Sequence, residues 1–191
     1  MPVFGLVAAG AYDGAALSAF LRKLRPDLED VIVRLCGNDR RVRSTFKNVL
    51  KDLRFANRGR PVDKTIVVCD THGLAVEEAL GRMQDGFNAA DYPFPVEFAV
   101  VVPELESWLS ADHEARTVVA AERGNRLQYP IVAFPPEDRD DPKAFLESVL
   151  LEAGVRYTAV VAARLAELSD PERVRALCPS FTIFRNAAHN C

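Results

Sequence analysis

The sequence predicts an α/β fold: a mostly parallel, Rossmann-like sheet with helices on both faces. Four short apolar, β-rich runs fall within the first 102 residues: "VFGLVAA" (3–9), "DVIVRLC" (30–36), "TIVVCD" (65–70) and "VEFAVVV" (96–102). Each is followed by a segment with helical spacing of apolar residues. Strict alternation of strand and helix requires crossover connections, which make the strands parallel and bring their carboxyl ends to one edge of the sheet. With 191 residues, 49% of them hydrophobic and 27% charged, the chain can build a full core.

The elements follow in order. After the first strand, "DGAALSAFLRKL" (13–24) places Ala16, Leu17, Phe20, Leu21 and Leu24 on one helical face, and Pro26 stops it. After the second, "NDRRVRSTFKNVLKDLRFAN" (38–57) is a strongly amphipathic helix with Asn38 or Asp39 as its cap. "GLAVEEALGRMQDGF" (73–87) follows the third strand as a helix. "ELESWLSAD" (104–112) begins another just past Pro103, with Trp108 as a packing residue.

From about residue 124 the character changes. "GNRLQYPIVAFPPEDRDDPKA" holds four of the twelve prolines and reads as a loop or covering flap. Three short helical patterns follow, two of them opening with Asp-Pro, and "PSFTIFRNAA" closes the chain. The organisation expected is a core over 1–123 and a loop with a helical C-terminal extension, packed on that core, over 124–191.

A formal net charge of −3 does not suggest a general nucleic-acid binder. The four cysteines form no C-x-x-C pair, so neither a zinc knuckle nor a thioredoxin-like site is signalled. Cys36 and Cys69 end apolar runs and read as buried thiols in a reducing compartment. The first residues carry no positively charged leader and no membrane span is apparent, so a cytoplasmic location is expected. The sequence is silent on oligomeric state.

The carboxyl edge of the expected sheet gathers the residues suited to chemistry. Asp13 follows strand one, Asp70 and His72 follow strand three, and Glu104 and Glu106 follow strand four. Carboxylates converging from separate segments suit a hard divalent cation, Mg²⁺ or Mn²⁺. Structural roles compete: Asp70 and Asp13 suit helix caps, and His72 suits an exposed turn. On a regular helix beginning at 104, Glu104 and Glu106 point about 200° apart, so at most one of them faces the edge unless the helix starts later. Asp70, Glu104 and Glu106 are the catalytic candidates. Asp70, His72, Glu104, Glu106 and Asp13 are the metal candidates.

The helix over 38–57 carries a second feature. Arg40, Arg43, Lys47, Lys51 and Arg54 step by three and four along one face, opposite Val42, Phe46, Val49, Leu50 and Leu53. Such a stripe reads either as a solvated helix face or as a guide for the phosphates of a nucleic acid. Only Asp39 and Asp52 are acidic here, too few to neutralise it by pairing along the helix.

These residues together suggest a family. "LVAAGAYDGAALSAFLRKL" resembles the opening of TOPRIM domains, E-G-x-x-D before an apolar helix, and "VVCDTHG" lies where those domains carry D-x-D. "VVPELESWLSAD" is similar to the E-x-E-x-W-x-x-A-D segment of a bacterial family of uncharacterised TOPRIM-like proteins related to OLD nucleases. "CPSFTIFRNA" resembles the S-F-x-x-F ending of that family. The resemblance implies a metal-dependent, nuclease-like fold with a carboxylate-held Mg²⁺, acting beside an ATPase partner in bacterial defence. The chain departs from the pattern at two of three metal carboxylates: Ala9 replaces the strand-one Glu and His72 the second Asp. Two functions are therefore open. One is a divalent-metal-dependent nuclease or phosphoryl-transfer component of a defence or DNA-processing system. The other is a degenerate TOPRIM-like module that binds a partner protein or nucleic acid without cleavage. A histidine ligand shifts metal preference from Mg²⁺ toward Mn²⁺ or Zn²⁺.

Overall fold

The computed structural model describes residues 1–124 and 135–190. Four parallel strands, β1 (Val3–Ala8), β2 (Asp30–Leu35), β3 (Lys64–Asp70) and β4 (Val96–Val101), form one sheet in the order β2-β1-β3-β4. The chain leaves β1 for β2 on one side, then returns across β1 to β3 on the other. The carboxyl ends of β1 and β3 therefore flank the topological switch point, where the connecting segments part and leave a crevice.

The helices fall on two faces. Helix α1 (Ala11–Leu24) lies on one face, and α2 (Asp39–Leu53) and α3 (Val76–Gln84) lie on the other. Alternation along each strand supplies both layers. Leu6, Ala8, Ile66, Val68 and Val101 point into the α1 layer. Val7, Ala9, Val67, Cys69 and Val100 point into the α2–α3 layer with Phe46, Leu50 and Met83. Helix α1 approaches β2 closely because residue 14 is glycine: a Cβ there would stand 2.9 Å from both Val33 Cγ1 and Leu35 Cδ2.

Beyond β4 the chain is helical: α4 (Glu106–Ala111), α5 (His113–Ala121), α6 (Pro142–Glu152), α7 (Ala159–Leu168), α8 (Pro171–Leu177) and α9 (Phe181–His189). Asp141 and Asp170 cap α6 and α8 by accepting from Ala144 N and Glu172 N, as the Asp-Pro openings predict. The closing "PSFTIFRNAA" segment, which propensity leaves unassigned, is a helix because it covers β4 and Trp108. The extension shares one continuous core with the sheet, since Phe181, Phe184, Leu165 and Val174 cluster with Phe20, Leu17 and Ile66. Much of the proline-rich stretch expected as a loop lies outside the described residues.

Trp108 anchors this face. It is fully buried, edge-on to Phe20 and Phe181, and tilted against Phe184. Its Nε1 donates to Ser180 Oγ at 2.8 Å. Ser180 in turn holds Glu137, through its backbone N at 3.0 Å and through its hydroxyl. The segments "VVPELESWLSAD" and "CPSFTIFRNA" are thus physical partners. The aspartate that closes the first, Asp112, caps α5 through Glu114 N and accepts from Asp170 N at 2.8 Å, tying α5 to α8.

Replacing Ser180 with alanine leaves a buried indole N–H without its acceptor and Glu137 without two-point support. The expected loss is roughly 1–3 kcal/mol of unfolding free energy, measured as a lowered urea midpoint at unchanged slope. An unchanged midpoint would show that the network does not bind the extension to the sheet.

Candidate metal centre

The switch point collects acidic groups from five segments. On β3, Asp70 shares parity with Ile66 and Val68, so its carboxyl enters the α1 layer at 9% exposure. Asp13, in the first turn of α1, turns back to accept from Gly10 N at 2.8 Å, as a capping residue does. Glu106 opens α4, is 6% exposed, and accepts from Tyr157 Oη at 3.1 Å. Burial pushes the carboxyls of Asp70, Asp13 and Glu106 all upward. Asp70 is raised furthest above its ordinary 3.8: burial is the main cause, and the charges of Asp39, Asp13 and Glu106 add to it. The Leu105 N–H opposes the rise by donating to the same carboxyl.

Asp70 does not cap the helix that follows it: α3 begins only at Val76, after Ala75, with no side-chain cap. The turn between β3 and α3 is tight: Thr71 N donates to Val101 O, and His72 N to Pro103 O. His72 and Gly73 both take positive φ, 49° and 84°. A left-handed histidine is costly and is held there by its surroundings.

The ring of His72 stands between two acids. Nε2 lies 2.9 Å from Asp39 Oδ2, and Nδ1 lies 3.4 Å from Glu104 Oε1. Asp39 also accepts from Asp70 N through Oδ1 at 2.8 Å. One ligand atom each from Asp39, Asp70 and His72 lie within 4.8 Å of one another. Two carboxylate oxygens and an imidazole nitrogen at that spacing are able to share a metal ion.

Asp39 is the site residue that sequence reasoning missed. It reads as one of two candidate caps for α2, but Asn38 performs the capping by accepting from Arg41 N at 2.9 Å. Asp39 is thereby free to reach β3. Its place is set by the β2–α2 turn, where Gly37 N donates to Ala9 O at 2.7 Å. A carboxylate from α2 therefore stands beside strand one, where Ala9 offers none. Only the register between the two strands reveals this.

Helix α4 starts at Glu106, later than residue 104, so Glu104 precedes it, following the cis Val102–Pro103 peptide. Freed from helical geometry, Glu104 reaches His72 while Glu106 faces Asp13 and Tyr157. The two acids take different places, Glu104 in the cleft and Glu106 behind it. That cleft, of about 510 Å³, is lined by Thr71, His72, Glu104, Glu137 and Arg139 among others.

The basic stripe of α2 is used unevenly. Arg43 donates to Asp70 O at 3.1 Å, Lys47 to Asp85 O at 2.7 Å, and Arg54 to Asp91 O while lying over the Tyr92 ring. These three brace α2 against the sheet and the loops around α3. Arg40 and Lys51 are exposed.

Fold and site together define a parallel α/β protein with an acidic, histidine-bearing cleft at the carboxyl edge of its sheet. Residues 13–187 match the family described as "Domain of unknown function (DUF4276)", and the chain belongs to that family. Neither the curated proteins nor the solved structures contain a match. Among the described residues no helix is long and apolar enough to cross a membrane.

Two outcomes follow. Because burial holds the Asp70 carboxyl above its unfolded value, the folded metal-free chain binds the extra proton. Its contribution to stability is complete below about 3.8 and is lost as pH rises through the elevated folded value. Asp70→Asn should therefore flatten the fall of stability with rising pH and stabilise the metal-free protein at neutral pH, as read by urea unfolding across pH. Equal pH slopes in both proteins would contradict the assignment. Separately, His72→Gly should change unfolding free energy by no more than about 1 kcal/mol, since glycine accepts positive φ freely. The same variant should weaken Mn²⁺ binding at least tenfold by calorimetry.

Proposed function

We propose that this chain is a TOPRIM-like, divalent-cation-dependent phosphoryl-transfer protein, of nuclease type, serving a bacterial defence or DNA-processing system. The observation that carries the reading is the position of Asp39. It brings a second carboxylate to Asp70 and His72 at the switch point, on the strand-one side where the resemblance leads one to expect a glutamate. Asp39, Asp70 and His72 would hold the cation, with Glu104 alongside. A cation held there supplies Lewis acidity toward a phosphoryl oxygen and a lowered pKa for bound water.

The chain's own groups do the rest. Arg43 fixes the Asp70 carbonyl and so the end of β3. Glu106, its carboxyl raised by burial and bonded to Tyr157, stands behind the ligands. Glu104 lines the cleft and orients the His72 ring, so it can accept a proton from a nucleophile entering there. Arg40 and Lys51 remain open to the phosphates of a strand lying along α2. A partner ATPase follows from the family resemblance alone. The thiols of Cys36, Cys69 and Cys178 are free, which fits a reducing, cytoplasmic setting.

A second reading has its own support. The His72 ring already stands between Asp39 and Glu104, 2.9 Å from one and 3.4 Å from the other, and so occupies the two acids that a metal ion would otherwise draw together. In that case the module binds without cutting.

The experiment that separates them is Mn²⁺ and Mg²⁺ titration with cleavage of end-labelled DNA and RNA. The proposal expects Mn²⁺ to bind, Asp39→Ala to weaken it at least tenfold, and cleavage to be lost in Asp39→Ala and Asp70→Ala. Absence of both metal binding and cleavage rejects it in favour of the binding module. That module instead expects Arg40→Glu with Lys51→Glu to abolish nucleic-acid retention while Asp70→Ala leaves it intact.

A further inference from the structure

The outer strand of the sheet takes no part in the site already described. β2 lies at one end of the order β2-β1-β3-β4, so one side of it has no neighbouring strand among the described residues. At the end of the β1–β2 ladder Cys36 N donates to Ala8 O at 3.0 Å. Backbone groups alternate in direction along a strand. Asp30, Ile32 and Arg34 therefore turn theirs toward β1, and Val31, Val33 and Leu35 turn theirs to the open side. Two of these outward groups are met only by the strand's own side chains. Val31 N donates to Asp30 Oδ1 at 2.8 Å, and Val33 O accepts from Arg34 Nη1 at 3.0 Å. Leu35 is 48% exposed, and Ile32 and Val33 are half-buried. An edge with open backbone groups and part-exposed apolar side chains is a template for another strand.

The residues of this edge are complementary to themselves. Laid antiparallel on a second copy, about a two-fold axis through Ile32, "DVIVR" (30–34) sets Asp30 opposite Arg34 of the second copy. Val31 then faces Val33, and Ile32 faces Ile32. The charge pair forms twice, on one face of the sheet, because 30 and 34 share parity. Val31 and Val33 are the residues whose backbone groups point outward, and directly opposed residues of that kind exchange both N–H···O bonds. Axes through Val31 or Val33 instead set a charge against Ile32, so the charges select one register. Asp30 is exposed, and Arg34 forms no ion pair among the described residues. A charge that only blocks pairing meets its own sign across a two-fold axis; these two meet the opposite sign.

We infer that β2 pairs antiparallel with β2 of a second copy of this chain, joining two four-stranded sheets into one through Asp30–Arg34 cross-strand pairs. An antiparallel junction points the carboxyl edges of the two sheets in opposite directions. The two His72–Glu104 clefts then open at opposite ends of the dimer, clear of the junction. The inference is independent of the metal reading.

The test is sedimentation equilibrium on the full chain, from micromolar to millimolar protein. The wild type should approach twice the 21.1 kDa of one chain. Asp30→Arg sets Arg against Arg at both pairs, and Arg34→Asp sets Asp against Asp. Each should weaken association at least tenfold, as two cross-strand attractions become repulsions. Equal mixing of the two single variants should restore a dimer of mixed composition, and the double variant should associate as the wild type does. Urea unfolding establishes that each variant is folded. Should a charge variant fail to fold, Val33→Pro decides, since it removes an N–H that only the second copy uses and proline is tolerated on an edge strand; it should leave a folded monomer. A monomeric wild type at millimolar protein overturns the proposal. So does a dimer that is indifferent to the single substitutions or to Val33→Pro, which would place its interface elsewhere.

Discussion

Three carboxyl groups, those of Asp13, Asp70 and Glu106, are packed together at the carboxyl edge of the sheet, where water has little access. Low local dielectric makes each charge unfavourable to the others, and every raised carboxyl at this edge reflects that constraint. The surrounding structure answers it with backbone donors. Gly10 N serves Asp13, Leu105 N serves Asp70, and the Tyr157 hydroxyl serves Glu106. The elements that supply these donors are α1, α4 and the loop before α7. The cluster thereby determines how the helical extension meets the sheet.

The segment from Glu104 to Asp112 works at two levels. Its first residues reach the cleft, and the rest is architecture: Trp108 fills the core and Asp112 joins α5 to α8. Trp108 and Ser180, 72 residues apart, are bonded through Glu137's partner hydroxyl, and Glu137 itself lines the cleft. The wall of the site is thus fixed from the far end of the chain. A disturbance at Ser180 reaches the cleft through the two hydrogen bonds it makes to Glu137.

Much of the fold was legible because its signals are local. Four apolar runs with β-branched residues, and the Asp-Pro openings of α6 and α8, need no tertiary information. Boundaries were legible only in part. Helix α2 ends at Leu53 rather than continuing to residue 57, and α4 starts two residues later than expected. The candidate site was half legible. Asp70, His72, Glu104, Glu106 and Asp13 all arrive at the carboxyl edge, as strand order alone requires. Asp39 was not legible, since as an acid beside an asparagine at a helix start it is indistinguishable from a cap. The spacing of the cationic stripe was legible, but not that Arg43, Lys47 and Arg54 are braced on backbone carbonyls supplied by segments distant in sequence.

By itself the sequence determined the alternation of strand and helix, the two apolar layers, and the set of acids at one edge. Those follow from periodicity and chain connectivity, which are properties of neighbours along the chain. The tertiary structure alone decided which acids meet. Parallel register sets Gly37 against Ala9 and so delivers Asp39 to Asp70, and the late start of α4 lets Glu104 and Glu106 take different places. It also decided that Arg116 is buried, its Nε and Nη2 without a hydrogen-bond partner among the described residues. Such pairings depend on distances between segments remote in sequence, and no local pattern encodes them.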